Sequence, residues 1–176
     1  TSTRLVSMGI KKPLNRLKYI LNKMHNNIVN QLKVNMVEGI KTNFNKHKSY
    51  KQYIAHQKIK TKDPVKIKKW LGGEWEVKYQ GFKEIYARND KYTKDKKNAI
   101  CLGSRTGQEV KALLDIGIDA IGIDLVEFLP YTIKGDIHNL EYEDEKFDFI
   151  FTNIMDHSLY PEVFCSEMQR VCSKYG

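Results

Sequence analysis

The chain has 176 residues and a mass of 20.6 kDa, with 41% hydrophobic and 29% charged residues, which excludes general disorder and suits one domain or one and a half. It carries 30 Lys+Arg against 21 Asp+Glu, a formal net charge of +9, and no apolar run approaches the roughly 20 residues that cross a bilayer. Three cysteines (Cys101, Cys165 and Cys172), in no C-x-x-C pair, exclude a disulfide scaffold and a zinc finger and suit a reducing, cytoplasmic compartment. The sequence opens Thr-Ser-Thr with neither Met nor signal peptide, and reads as a piece of a longer, fused chain.

Charge divides the chain in two. Residues 1–97 hold 24 basic against 7 acidic side chains, a net of +17, and residues 98–176 hold 6 against 14, a net of −8. The basic part suits either a nucleic-acid partner or the solvated faces of Lys- and Asn-rich helices. From Met8 to about Val37, apolar residues including Leu14, Leu17, Leu21, Met24, Ile28 and Leu32 recur at steps of three and four, which predicts an amphipathic helix or two. A second helix is expected from about Lys46 to Lys58 through Tyr50, Tyr53 and Ile54. Asp63-Pro64 reads as the N-cap and first position of a short helix that Gly72-Gly73 stops after Leu71. Trp75, Val77 and Tyr79 then alternate with charged residues up to Gln80-Gly81, which predicts a β-hairpin over 74–87; either this hairpin or residues beyond this piece would supply an antiparallel edge. Residues 88–97 are polar and read as a linker between a basic extension, 1–97, and a core, 98–176.

After Lys97 the pattern is that of an α/β fold. Asn98-Ala-Ile-Cys-Leu-Gly103 is a short apolar run ending in Gly, as in a buried strand. Residues 107–116 have helical spacing through Val110, Leu113 and Leu114, closed by Gly117. Asp119–Asp124 is a second buried strand, a third surrounds Ile133, and Lys146–Thr152 is a fourth. Pro161–Cys172 is a final helix. Strands alternating with helices imply right-handed crossovers and a Rossmann-like, mostly parallel sheet with flanking helices.

The turn Gly103-Ser-Arg-Thr-Gly107 lies between a strand and a helix, where small residues admit a ligand and the helix start offers free N–H groups. Twenty-one residues beyond Gly103, Asp124 ends the next strand, the position that puts a carboxylate on ribose hydroxyls in nucleotide-binding folds. A dinucleotide fingerprint is absent, because Arg105 stands where the middle Gly of G-x-G-x-x-G belongs and no third Gly follows at the required spacing.

With Gly135-Asp136-Ile137, Phe147–Asn153 and Glu167–Val171, these motifs resemble class I S-adenosylmethionine-dependent methyltransferases over about residues 98–176. The family sheet has seven strands, so the core here is shortened. The resemblance implies S-adenosylmethionine as cofactor, held by Gly103, Ser104, Arg105, Gly107, Glu109, Asp124, Leu125, Asp136, Ile137 and Asn153. Asp124 would meet the ribose, and Asp136 and Ile137 would flank adenine. Cys101 stands where the family usually carries an acid for the methionine amino group, and Arg105 is placed to face the methionine carboxylate.

Methyl transfer to a hydroxyl needs its proton removed. Asp156 and His157 follow the fourth strand at the edge where α/β sheets place ligands. Imidazole titrates near neutrality, so His157 is a candidate base, with Asp156 orienting it, meeting the acceptor or acting as base itself. His138 is a candidate contact to adenine or acceptor, whereas His25, His47 and His56 read as solvated. Asn153 lacks the Pro-Pro-aromatic sequence that follows it in amino-methyltransferases. No cluster has convincing metal spacing, although Asp156, His157 and Glu162 suit weak binding. T-N-x-x-D-H and G-D-x-H look similar to methyltransferase domains that modify glycans. Some of those are fused to glycosyltransferases, including in large DNA viruses of algae. A glycan hydroxyl is thus the expected acceptor. The alternatives are an RNA methyltransferase using the basic half, and a cofactor-binding domain without activity.

Overall fold

The computed structural model describes His47 and residues 49–174, so the helix expected over 8–37 lies outside the described residues. Helix α1 (Tyr50–Thr61) begins where the Ser49 hydroxyl accepts the Gln52 N–H. Helix α2 (Pro64–Leu71) starts as its sequence requires, with Asp63 accepting the N–H groups of Val65 and Lys66 at 2.9 and 3.3 Å. Gly72 ends it and leads directly into α3 (Gly73–Arg88). A single turn, α4 (Asp90–Thr93), sits within the run expected to be a linker.

Helix α3 replaces the β-hairpin expected over 74–87. The alternation of Trp75, Val77 and Tyr79 coexists with a second period: Trp75, Tyr79, Phe82 and Tyr86 fall on one helical face. Tyr79, Phe82 and Tyr86 meet the core, while Val77 is left 73% exposed. Gly81 sits in the middle of the helix, half-buried, with nothing within 4 Å of where a Cβ would stand, so it marks no turn. An interior Gly costs a helix only about 1 kcal/mol, and burial of three rings outweighs that.

The strands are β1 (Asn98–Leu102), β2 (Asp119–Asp124), β3 (Thr132–Lys134) and β4 (Phe149–Thr152). Helix α5 (Gln108–Asp115) joins β1 to β2, and α6 (Pro161–Val171) follows β4. The sheet order is β3-β2-β1-β4 and every pairing is parallel, as expected, with Ile100 opposite both Ile121 and Ile150. No antiparallel strand edges this sheet among the described residues. A lone parallel bridge joins Phe147 to Cys172, the residue after α6.

Alternation along β1 builds two core layers. Ile100 and Leu102 face α6, packing with Phe164 and Val171, and Ala99 and Cys101 face the other side, with Tyr86 of α3 and Val110 and Leu113 of α5. The basic segment therefore shares the core, since α3 forms part of the second layer. The Asp148 carboxylate accepts the N–H groups of Lys97 and Asn98, tying the start of β1 to β4. Because β1 has β2 on one side and β4 on the other, its C-terminal end is the point where strand order reverses and a crevice opens.

Phe164 is fully buried and Val163 beside it is 43% exposed. Phe164→Ala should lower the unfolding free energy by about 3–5 kcal/mol, and Val163→Ala should change it by less than about 0.5 kcal/mol, both read from urea unfolding.

Candidate functional site

The turn after β1 passes three times through left-handed backbone, at Gly103 (φ 77°), Arg105 (φ 47°) and Gly107 (φ 76°). A Cβ at Gly103 would lie 2.3 Å from Ile154 Cδ1, and one at Gly107 2.3 Å from Tyr131 Cβ, so only glycine fits either place. The turn is sewn to the end of β2. The Gly103 and Ser104 N–H groups donate to the Ile123 carbonyl at 2.7 and 3.2 Å, and the Arg105 N–H donates to Asp124 Oδ2 at 3.1 Å. Buried Ser104 exchanges a 2.9 Å hydrogen bond with Thr132 of β3.

Residues from the basic segment clasp the same turn. The Arg105 guanidinium lies 4.3 Å above the Trp70 ring, and Trp75 Nε1 donates to the Thr106 carbonyl at 3.1 Å. Helix α1 closes over the crevice. Its Tyr50 hydroxyl donates to Asp136 at 2.6 Å, and its Tyr53 hydroxyl donates to the His157 carbonyl at 2.8 Å.

Two cavities flank the turn and share Gly103, Arg105 and Ile154. The first, under α1, brings together Gly103, Arg105, Asp124, Leu125, Asp136, Ile137, His138 and His157. The second, under α3, brings together Ser104, Arg105, Glu109 and Asn153 with Lys78 and Gln108. Of the residues expected at the site, Gly107 serves the turn itself, and Asp156 lines neither cavity. The Asp156 carboxylate lies 4.0 Å from His157 Nδ1, both side chains about half exposed at the rim. Tyr53, Gln57, Trp70, Lys78 and Gln108 were not anticipated. The Tyr50–Tyr53 spacing on α1 was the one available signal, and it said nothing of where α1 would dock.

Local environment separates the carboxylates. Burial at the end of β2 pushes Asp124 above the usual carboxylate range, against the pull of the Arg105 N–H and guanidinium. For Asp136 burial is again the largest influence, yet hydrogen bonds from His138 and Tyr50 outweigh it and hold the carboxyl low. His138 is committed on both nitrogens, with Nδ1 3.2 Å from Asp136 Oδ1 and Nε2 2.8 Å from the buried Ser158 hydroxyl. Its ring braces the cavity wall, with Tyr50, Tyr160 and Phe164 around it. Glu109 is 5% exposed, and burial pushes it up to about 7. Among the described residues, no group of three His, Cys, Asp or Glu side chains is arranged to hold a metal, and no helix is long and apolar enough to cross a membrane.

Residues 100–176 match the family model described as a methyltransferase domain, whose members use S-adenosylmethionine as methyl donor. The match covers 77 of the 176 residues, and over that segment the chain is similar to methyltransferase domains. Among solved structures, the chain is similar to the PH0226 protein from Pyrococcus horikoshii OT3, at 22% identity and a TM-score of 0.51, over 60% of this chain. It spans 57% of that protein's length, and the likeness is one of fold. No curated protein matches the chain.

Glu109 makes stability depend on pH. Between its ordinary value of 4.5 and about 7, the folded chain holds a proton that the unfolded chain has lost, so stability falls as pH rises through that window. The full penalty, on the order of 3 kcal/mol for a shift of this size, applies above pH 7. Glu109→Gln should therefore have a higher urea midpoint than the unaltered chain at pH 8, and the two should converge below pH 4.5.

Proposed function

We propose that this chain is an S-adenosylmethionine-dependent O-methyltransferase whose acceptor is a sugar hydroxyl of a glycan. The observation that carries this reading is the meeting of the Gly103 turn, Asp124 and Asp136 in one crevice at the point where strand order reverses. Those residues suit the cofactor. Asp124 is a carboxylate aimed into the cavity from a strand end, as a ribose diol requires, and Gly103 lets the backbone approach closely. In the second cavity the buried Gln108 amide nitrogen has no hydrogen-bond partner among the described residues, a donor left for a ligand to use. Asp136 and Ile137 would flank the adenine, and Arg105, reaching both cavities, would meet the carboxylate end.

When bound, S-adenosylmethionine supplies an electrophilic methyl group on a sulfonium. The protein's part is to hold an acceptor in line and to take its proton. His157 stands on the cavity rim, on a turn held by Tyr53, with Asp156 near enough to bias the ring's orientation. It is therefore the base, and Asp156 supports it. The net −8 of residues 98–176 favours a sulfonium cation in this half.

The test is a methyl-transfer assay over a panel of glycan and RNA acceptors, with cofactor affinity measured in parallel. His157→Ala should cut kcat on a sugar acceptor by about 10²–10⁴-fold while cofactor affinity holds. Asp124→Ala should weaken cofactor binding by about 10–100-fold, the worth of a charged hydrogen bond. Turnover on RNA alone, steeply dependent on salt, would replace the glycan reading.

A further inference from the structure

Helix α1 gives the first cavity a wall that the cofactor leaves unused. Tyr53, Ile54, Gln57, Lys60 and Thr61 fall at spacings of three and four, so they share one helical face, and all five line the cavity. Tyr53 and Thr61 are buried and the other three half-buried, whereas Ile59 on the far face is 73% exposed. Gln57, Lys60 and Thr61 give this wall an amide, an ammonium and a hydroxyl, and α1 contains no Asp or Glu. The acids of the opposite wall already accept hydrogen bonds, Asp124 from the Arg105 N–H and Asp136 from the Tyr50 hydroxyl and the His138 N–H.

Tyr53 sets the register of this wall, because its hydroxyl donates to the His157 carbonyl at 2.8 Å. From that anchor Gln57 stands about 6 Å further along the helix and Lys60 about 10 Å. A group recognised there lies beyond the hydroxyl that His157 deprotonates, at a span that one or two sugar rings bridge. A lysine ammonium is a compact charge on a flexible stem, and with an amide beside it suits a carboxylate or a phosphate. The surrounding field has the same sign: residues 50–71 hold seven lysines against one aspartate, a net of +6. We infer that the acceptor carries an anionic group, held by Lys60 and Gln57 of α1 while His157 faces the hydroxyl to be methylated. This rests on the O-methyltransferase reading above and names the acceptor class, a sugar bearing a carboxylate or a phosphate.

A nucleic-acid strand would ask for something else, cations in series along its phosphates and open rings for its bases. Among the described residues, α1 gives the cavity one cation, and the Tyr160 ring, 37% exposed, is stacked on Tyr50 at 5.6 Å. One ammonium beside one amide is a site for a single anion.

The experiment measures methyl transfer by the full chain on matched acceptors, with the affinity of each for the S-adenosylhomocysteine complex followed by calorimetry. One pair is oligogalacturonate and the same oligomer with its carboxylates reduced to alcohols; the other is galactose phosphate and galactose; oligouridylate stands for RNA. In at least one pair the charged member should have a kcat/KM about tenfold above its neutral counterpart, the low end of what a hydrogen bond to a charged group contributes. The difference should lie in KM and shrink as salt is added. The pair that shows it identifies the anion as carboxylate or phosphate. Lys60→Met should remove the preference and Lys60→Arg should keep it, whereas a merely structural role would weaken charged and neutral acceptors alike. Where an acceptor binds without transfer, the same comparison is read from its affinity. No preference for the charged member of either pair would overturn the assignment and leave the glycan reading standing, as would a preference that Lys60→Met leaves intact. Transfer to oligouridylate and to no sugar would remove both, and so would neither transfer to nor binding of any acceptor. The paired comparison needs no variant, so the assignment is testable even if Lys60→Met does not fold.

Discussion

A hydrogen bond from the Arg105 N–H to the Asp124 carboxylate pins the turn after β1 to the last residue of β2. It can form only because the chain enters left-handed conformation at Gly103, Arg105 and Gly107, which folds the turn back over the strand ends. The two further N–H groups that reach the Ile123 carbonyl fix the turn's height above the sheet. Gly122 belongs to the same constraint, because a Cβ there would stand 2.2 Å from Ser104 Oγ. With the turn in place, Arg105 divides the crevice, Asp124 faces one side and the start of α5 presents Gln108 and Glu109 to the other.

The segment before β1 completes that arrangement. Trp70 and Trp75 hold the turn from α2 and α3, and Tyr50 and Tyr53 hold Asp136 and the His157 turn from α1. The contacts to the turn and to the two loops join rings or hydroxyls to backbone or charged groups, so they fix position as well as bury area. Four aromatic residues of this segment thus contact the site, and Lys60 and Lys78 line its cavities. Glu109 is the counterweight: a buried carboxylate that costs stability above neutral pH and persists beside a cavity, as groups kept for binding do.

The parallel sheet was readable because its strands are apolar runs too short for helices, each punctuated by Gly or Asp. Asp124 was readable because its distance from Gly103 is set by one helix and one strand. The hairpin reading failed at Gly81, where a turn residue and a helical period occupied the same window and tertiary burial of Phe82 and Tyr86 decided between them. The His138 network was beyond reach for a different reason: its partners Tyr50 and Ser158 are 88 and 20 residues away, and their convergence depends on α1 docking across the strand ends. The role of Trp70 and Trp75 was hidden likewise, since nothing local distinguishes a ring that stacks on Arg105 from one that fills a core.

The central claim is that the crevice on both sides of the Gly103 turn, roofed by α1 and α3, is one cofactor site. Amide hydrogen exchange of the full chain, with and without saturating S-adenosylhomocysteine, tests it most directly. The account predicts slowed exchange at 103–109, 123–126 and 135–138 and in α1, with α2's outer face around Val65 unchanged. Slowing confined to segments outside that crevice, or none at saturation, would contradict it.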